Sequence, residues 1–196
     1  MVDYAFAEAE TYLEAFRAGL MPDTRLTIYE WLEQEEVPLP SFVAEAGRYR
    51  TSRTPFWREV YECLSPSHPC TEVDVMKSHQ IGATTVGRNW LGYIISRAPG
   101  PAMVVEPTLD LSSKFSKQVL QPMLDLTPCL KGKVREAGTR DSGNTVLSKE
   151  FTGGMILLTG SNSAVGLRFA AVKYLMLDEL DGYVQDADGE GHPSEL

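Results

Sequence analysis

An α/β domain with a mostly parallel sheet flanked by helices, preceded by a short helical arm, is the fold class this sequence predicts. Three observations predict it. Strand-like and helix-like stretches alternate from residue 55 onward, the pattern of parallel strands joined by crossover helices. A turn-rich segment, Lys77-Ser78-His79-Gln80-Ile81-Gly82-Ala83-Thr84-Thr85, stands between a strand-like run and a helix-like run. An apolar run, Leu175-Met176-Leu177, ends in two adjacent carboxylates, Asp178 and Glu179.

Residues 3–18 carry Tyr4, Ala7 and Ala15 at helical spacing, and a second amphipathic stretch, Thr27 to Glu35, follows a break at Met21-Pro22-Asp23. The acidic run Glu33-Gln34-Glu35-Glu36 reads as a solvated helix end, and Pro38, Pro40 and Gly47 as a linker. Residues 1–45 are therefore read as an N-terminal helical arm and 46–196 as the main domain. Phe56 to Leu64 is a predicted helix, stopped by Ser65-Pro66-Ser67. Glu72 to Met76 alternates in the manner of a strand. Thr84 to Arg97 is a predicted helix, Ala102 to Glu106 a strand and Leu111 to Leu126 a further helix. Thr145–Phe151 and Met155–Thr159 flank Thr152-Gly153-Gly154, a hairpin signal, and Val172 to Leu177 is a buried strand.

Bulk properties narrow the function classes. A net charge of −9 speaks against a surface that clings to nucleic acid throughout, though a local basic patch stays open. No apolar run reaches the length of a membrane span, and the N-terminus lacks the regions of a signal peptide. Three cysteines, Cys63, Cys70 and Cys129, fit a reducing compartment better than a disulfide framework. Cys63, His68 and Cys70 invite a zinc reading, but their spacing fits no common structural zinc pattern and a fourth ligand is missing nearby.

A phosphate-binding loop works because consecutive backbone N–H groups lead into a helix N-terminus and surround a polyphosphate. The usual pattern is Gly, four residues, then Gly-Lys-Ser/Thr. Gly82 and Thr84 fill the second glycine and hydroxyl positions, but Lys77 stands where the first glycine belongs and Ala83 where the lysine belongs. A lysine stem is long enough to bring its charge to the β/γ-phosphates from the loop's opening. Taken alone, the segment fails the pattern and reads first as a plain strand–turn–helix corner with an exposed lysine. Asp178-Glu179 tips the balance towards a P-loop nucleotide hydrolase, in which the aspartate holds Mg²⁺ and the glutamate polarises the attacking water.

Family resemblance enters through an ordered set of short segments. Gly47-Arg48-Tyr49-Arg50-Thr51 with Arg53-Thr54-Pro55-Phe56, then Lys77 to Gly82, Val105-Glu106-Pro107-Thr108 and Gln121-Pro122-Met123, resemble the large terminase subunits of lambda-like tailed phages. Lys149-Glu150-Phe151 with Gly153-Gly154, Gly160 to Ser163, Leu177 to Asp181 and Glu190 to Pro193 continue the match. In that family the functional lysine opens the loop, as Lys77 does here. The resemblance implies an ATPase that drives packaging of double-stranded DNA into a procapsid. Its implied cofactors are ATP and Mg²⁺, and its implied partners are DNA, the terminase small subunit and the portal. A homo-oligomeric motor in the host cell cytoplasm, with no membrane partner, follows from the same likeness.

Carried over by position, Lys77 is the phosphate lysine, Thr84 and Asp178 are magnesium ligands, and Glu179 is the catalytic carboxylate. Ser78, His79, Gln80, Ile81, Gly82, Ala83 and Thr85 complete the nucleotide loop. Tyr49 and Phe56 resemble the adenine-binding region, while Trp57 departs from the glutamine many relatives carry. Phe56 and Trp57 read equally well as helix packing. Arg168 is either a stabiliser of transition-state charge, a DNA contact or a surface arginine. Asp186, Asp188 and Glu190 read as a polar loop rather than a metal site. Family members continue into a nuclease domain, so the sequence is read as an ATPase portion that ends early. Two rivals remain: a helicase-like ATPase, and an inactive prophage remnant that binds partners without turnover.

Overall fold

The computed structural model describes residues 12–13, 16–17, 26–39, 41, 46–135, 145–163, 167 and 171–186. Tyr4, Ala7, Ala15, Arg168, Asp188 and Glu190 lie outside the described residues.

Helix α1 (Ile28–Gln34) starts on a capping box: Thr27 Oγ1 accepts from the Glu30 amide at 3.2 Å, and the Thr27 amide donates to Glu30 Oε2 at 2.7 Å. Its apolar face, Ile28, Trp31 and Leu32, is buried, with Trp31 edge-on to Tyr93 at 5.9 Å. The acidic residues at its end are not simply solvated. Glu33 accepts a hydrogen bond from Thr51 Oγ1, and Glu35 pairs with Arg97 at 3.9 Å. Strands β1 (Pro38–Leu39) and β2 (Gly47–Arg48), in the predicted linker, form a small antiparallel ribbon.

A 3₁₀ turn at Pro55–Trp57 leads into α2 (Arg58–Cys63), as the sequence predicts for this stretch. Helix α3 (Ala83–Arg97) follows Gly82, whose φ of +90° only glycine adopts without strain. Strand β3 (Ala102–Glu106) is buried along its whole length. Beyond it, α4 (Leu109–Lys114), a π-helical segment at Phe115–Leu120 and α5 (Gln121–Leu126) follow one another without a break. The sequence reads this stretch as one regular helix. Pro122 has no N–H for the α-helical ladder and its ring crowds the preceding turn, so the ladder widens ahead of it.

Strands β4 (Ser148–Phe151) and β5 (Gly154–Gly160) make the predicted hairpin around Thr152 and Gly153. With β6 (Tyr174–Leu177) they complete a sheet of order β4-β5-β3-β6. The β5–β3 and β3–β6 pairings are parallel and β4–β5 is antiparallel, so the sheet is mixed. Strand alternation divides the core. Ala102, Val104, Ile156 and Leu158 join the large cluster with α1 and α3, whereas Met103 and Val105 pack with Tyr183.

Glu72–Met76 is not a strand. It is irregular, pairs with no described strand, and leaves Met76 fully exposed. Alternating side chains encode an extended backbone, but a strand also needs a neighbour to take its N–H and C=O groups. Among the described residues no helix is long and apolar enough to cross a membrane.

Candidate active site

Three parts of the chain converge at the C-terminal ends of β3 and β6. The first is the loop that enters α3. Gln80 adopts φ +58° and Gly82 φ +90°, so the backbone bends sharply just before the helix begins. The second is the end of β6, where the Asp178 amide donates to Val105 O at 3.1 Å and extends the ladder by one residue. Glu179 then leaves the sheet at φ +54°, a left-handed conformation uncommon for a residue with a Cβ. The third is Glu106, at the end of β3.

Two side-chain contacts tie loop to strand. Thr84 Oγ1 donates to Asp178 Oδ2 at 2.7 Å, and Lys77 Nζ donates to Glu179 Oε1 at 2.6 Å as an ion pair. Asp178 Oδ1 is held in turn by the Glu179 amide at 3.0 Å. The Glu179 hydrogen bond raises the Lys77 pKa, with smaller contributions from the charges of Asp178 and Asp181, so the lysine is firmly cationic.

A cleft of about 330 Å³ opens here, lined by Lys77, His79, Gln80, Ile81, Gly82, Ala83, Thr84 and Glu179. The start of a fifteen-residue helix on its wall supplies first-turn N–H groups and the positive end of the helix dipole. Ser78 and Thr85 belong to the loop but do not line the cleft, and Asp178 lies behind it at the foot of Thr84.

Residues 43–196 match the family model of the phage terminase large subunit gpA, ATPase domain. The chain belongs to this family. Comparison with curated proteins and with solved structures gave no match.

In this terminase ATPase domain the two aromatic residues expected at the adenine do not line the cleft. Tyr49 is 7% exposed, and its hydroxyl bonds Thr54 Oγ1 at 2.8 Å and Tyr61 at 3.2 Å, which makes it a core residue. Phe56 is 59% exposed, with its ring beside Trp57 at 5.5 Å. Trp57 is the residue the sequence undervalues. It is buried, and its indole N–H donates to Ile81 O at 3.0 Å, fixing the loop from below. A tryptophan carries one donor and no acceptor, so at this position it orients the loop carbonyl.

Glu106 enters the sequence reading only as part of a strand end and of the family-like segment Val105–Thr108, with no role of its own. It is buried, and desolvation, then the charges of Asp178 and Glu179, push its pKa up to about 8. A carboxyl whose folded pKa lies above its unfolded value near 4.5 holds a proton that the unfolded chain loses. Stability therefore falls as pH rises from about 4.5 through about 8. Glu106→Gln is expected to remove that slope from the nucleotide-free protein, a gain on the order of 3 kcal/mol at pH 8. Urea denaturation across this pH range measures it, and an unchanged slope would show that Glu106 is already ionised.

Proposed function

We propose that this terminase ATPase domain binds ATP with Mg²⁺ in the loop cleft and hydrolyses it to drive double-stranded DNA into a procapsid. The observation that supports the proposal is the pair of contacts Thr84–Asp178 and Lys77–Glu179, which join the loop before α3 to the Asp-Glu end of β6.

The residues present fit the metal. A hydroxyl and a carboxylate oxygen 2.7 Å apart, beside a loop that offers N–H groups, form the hard-oxygen donor set that Mg²⁺ takes together with nucleotide phosphates. When bound, the ion offsets negative charge on the β- and γ-phosphates. Thr84 and Asp178 hold it. The loop amides and the N-terminus of α3 accept the phosphates, and Lys77 adds a fixed positive charge at the γ-position.

In the nucleotide-free state Glu179 is occupied by Lys77. An arriving γ-phosphate competes for the ammonium and releases the carboxylate to a water. Glu179 then takes a proton from that water as its oxygen bonds the γ-phosphorus. The bond from that phosphorus to the bridging oxygen breaks, and ADP and phosphate leave. In the nucleotide-free domain Glu106, with its pKa raised to about 8, adds no third negative charge beside Asp178 and Glu179 at neutral pH.

The working assembly in this reading is a homo-oligomer at the portal, in the host cell cytoplasm, with the terminase small subunit docked on residues 1–45. Lys77→Ala is expected to weaken ATP binding by at least about tenfold and hydrolysis by about 100-fold or more. Equilibrium binding and phosphate release on the same preparation test this. Hydrolysis that survives the substitution would refute the site assignment. DNA-stimulated turnover without strand separation is the further expectation, and unwinding of a forked duplex would favour a helicase-like enzyme instead.

A further inference from the structure

We propose that Cys63, His68 and Cys70 form a binding site for one thiophilic divalent ion of the zinc class, separate from the nucleotide cleft. Their spacing alone fits no common zinc pattern, but the fold closes the turn between them. One ligand atom from each residue lies within 4.8 Å of the other two. Two thiol sulfurs and an imidazole nitrogen are donors that select zinc over the hard Mg²⁺. Tetrahedral zinc with Zn–S near 2.3 Å needs donor separations of about 3.8 Å. Closing the remaining ångström takes only side-chain rotation, because His68 and Cys70 are exposed.

The backbone beneath the site is already fixed. Ser65 is buried, donates its hydroxyl to Tyr61 O at 2.7 Å and accepts from the Ile28 amide at 2.9 Å. Its carbonyl accepts from the His68 amide at 2.9 Å, and the Cys70 amide donates to His68 Nδ1 at 3.2 Å. The turn therefore needs little ordering when an ion binds, which favours affinity. Glu59, one helical turn before Cys63 and on the same face, supplies nearby negative charge for a cation. Water completes four ligands.

Thiols bind such an ion as thiolates, so binding releases protons. The ion would fasten the end of α2 to the start of the irregular segment that runs to Lys77. It would act as a clip on the approach to the nucleotide loop.

Cobalt(II), a coloured stand-in for zinc, tests the site in the reduced, chelator-treated chain. One equivalent is expected to give thiolate charge-transfer absorption and the visible bands of a tetrahedral ion. Zinc should displace it, and excess magnesium should not. Cys70→Ser and His68→Ala are each expected to weaken binding by at least about 100-fold. Cys129→Ser should change nothing, since Cys129 lies against Ser96 instead. The proposal is overturned if no charge-transfer band appears in the folded chain. It is equally overturned if the band survives Cys70→Ser, or if it depends on Cys129. Cys70→Ser alters an exposed side chain, so it keeps the test valid should Cys63→Ser fail to fold.

Discussion

Glu179→Gln is expected to lower ATP turnover by about 10²–10⁴-fold while leaving nucleotide affinity within a few-fold. The amide keeps the size of the side chain and an oxygen that still accepts from Lys77 Nζ, now 2.6 Å from the carboxylate. It tolerates the left-handed backbone as well as glutamate does. What it lacks is basicity: a neutral amide takes no proton from the attacking water. In the proposed site, binding rests on other groups, namely the loop amides, Lys77 and the Thr84–Asp178 pair. Lys77, no longer drawn to a full negative charge, should also engage phosphate more readily. Single-turnover phosphate release and equilibrium binding on the same variant separate the two effects. Equal loss of binding and turnover would mean that Glu179 builds the cleft rather than acting on water.

Arg88→Ala is expected to cost about 3–5 kcal/mol of stability. Arg88 is 1% exposed on the inner face of α3, with no carboxylate among its hydrogen-bond partners. Nη1 donates to Pro38 O at 2.9 Å, and Nη2 and Nε donate to Asn89 Oδ1 at 2.7 and 3.3 Å. Asn89 donates onward to Tyr61 at 2.9 Å, and Tyr61 to Tyr49, so one polar chain crosses the core from the β1 ribbon to Thr54. Burial lowers the guanidinium pKa to about 10, which still leaves it charged at neutral pH. Removing it strands the buried Asn89 Oδ1 and the part-buried Pro38 O and opens a cavity. Arg88→Lys keeps charge but loses the planar fork that reaches both acceptors, and should recover only part of the loss. Denaturant midpoints at constant m-value measure both, and a cost below about 1 kcal/mol would show that water readily replaces the arginine.

The sequence revealed those features whose physics is local. The helix over 83–97 and the buried strand at 102–106 follow from apolar periodicity, and the β4–β5 hairpin from its glycine turn. Periodicity stops short where the outcome depends on a neighbour. Glu72–Met76 alternates like a strand, yet nothing among the described residues pairs with it. At the candidate site, the order of loop and Asp-Glu pointed to Lys77, Thr84, Asp178 and Glu179, and the fold brings these four side chains together in two hydrogen-bonded pairs. Aromatic residues misled, because a ring in a sequence carries no sign of which way it will face. Tyr49 went into the core, Phe56 stayed in solvent, and Trp57 became the anchor of the loop. Glu106 and Arg88 were invisible for a related reason: burial of a charge is decided by partners from distant segments. The ring nitrogens and sulfurs of residues 63–70 converge only once Ser65 has fixed the turn.

The ties that close the active site have a consequence for how this domain is made. Lys77 and Glu179 are 102 residues apart along the chain, and Thr84 and Asp178 are 94 apart. Contacts of that span carry the heaviest loop-closure entropy and form after local helices and the hairpin are in place. On a ribosome, the loop and α3 emerge with no acidic partner until the Asp-Glu strand has been synthesised and threaded beside β3. In the proposed reading, the acidic half of the nucleotide site is thus the last part the nascent domain acquires. In that reading a half-built chain carries the lysine-bearing loop and the helix N-terminus without the Asp-Glu pair, so it gains hydrolysis only once β6 has docked beside β3.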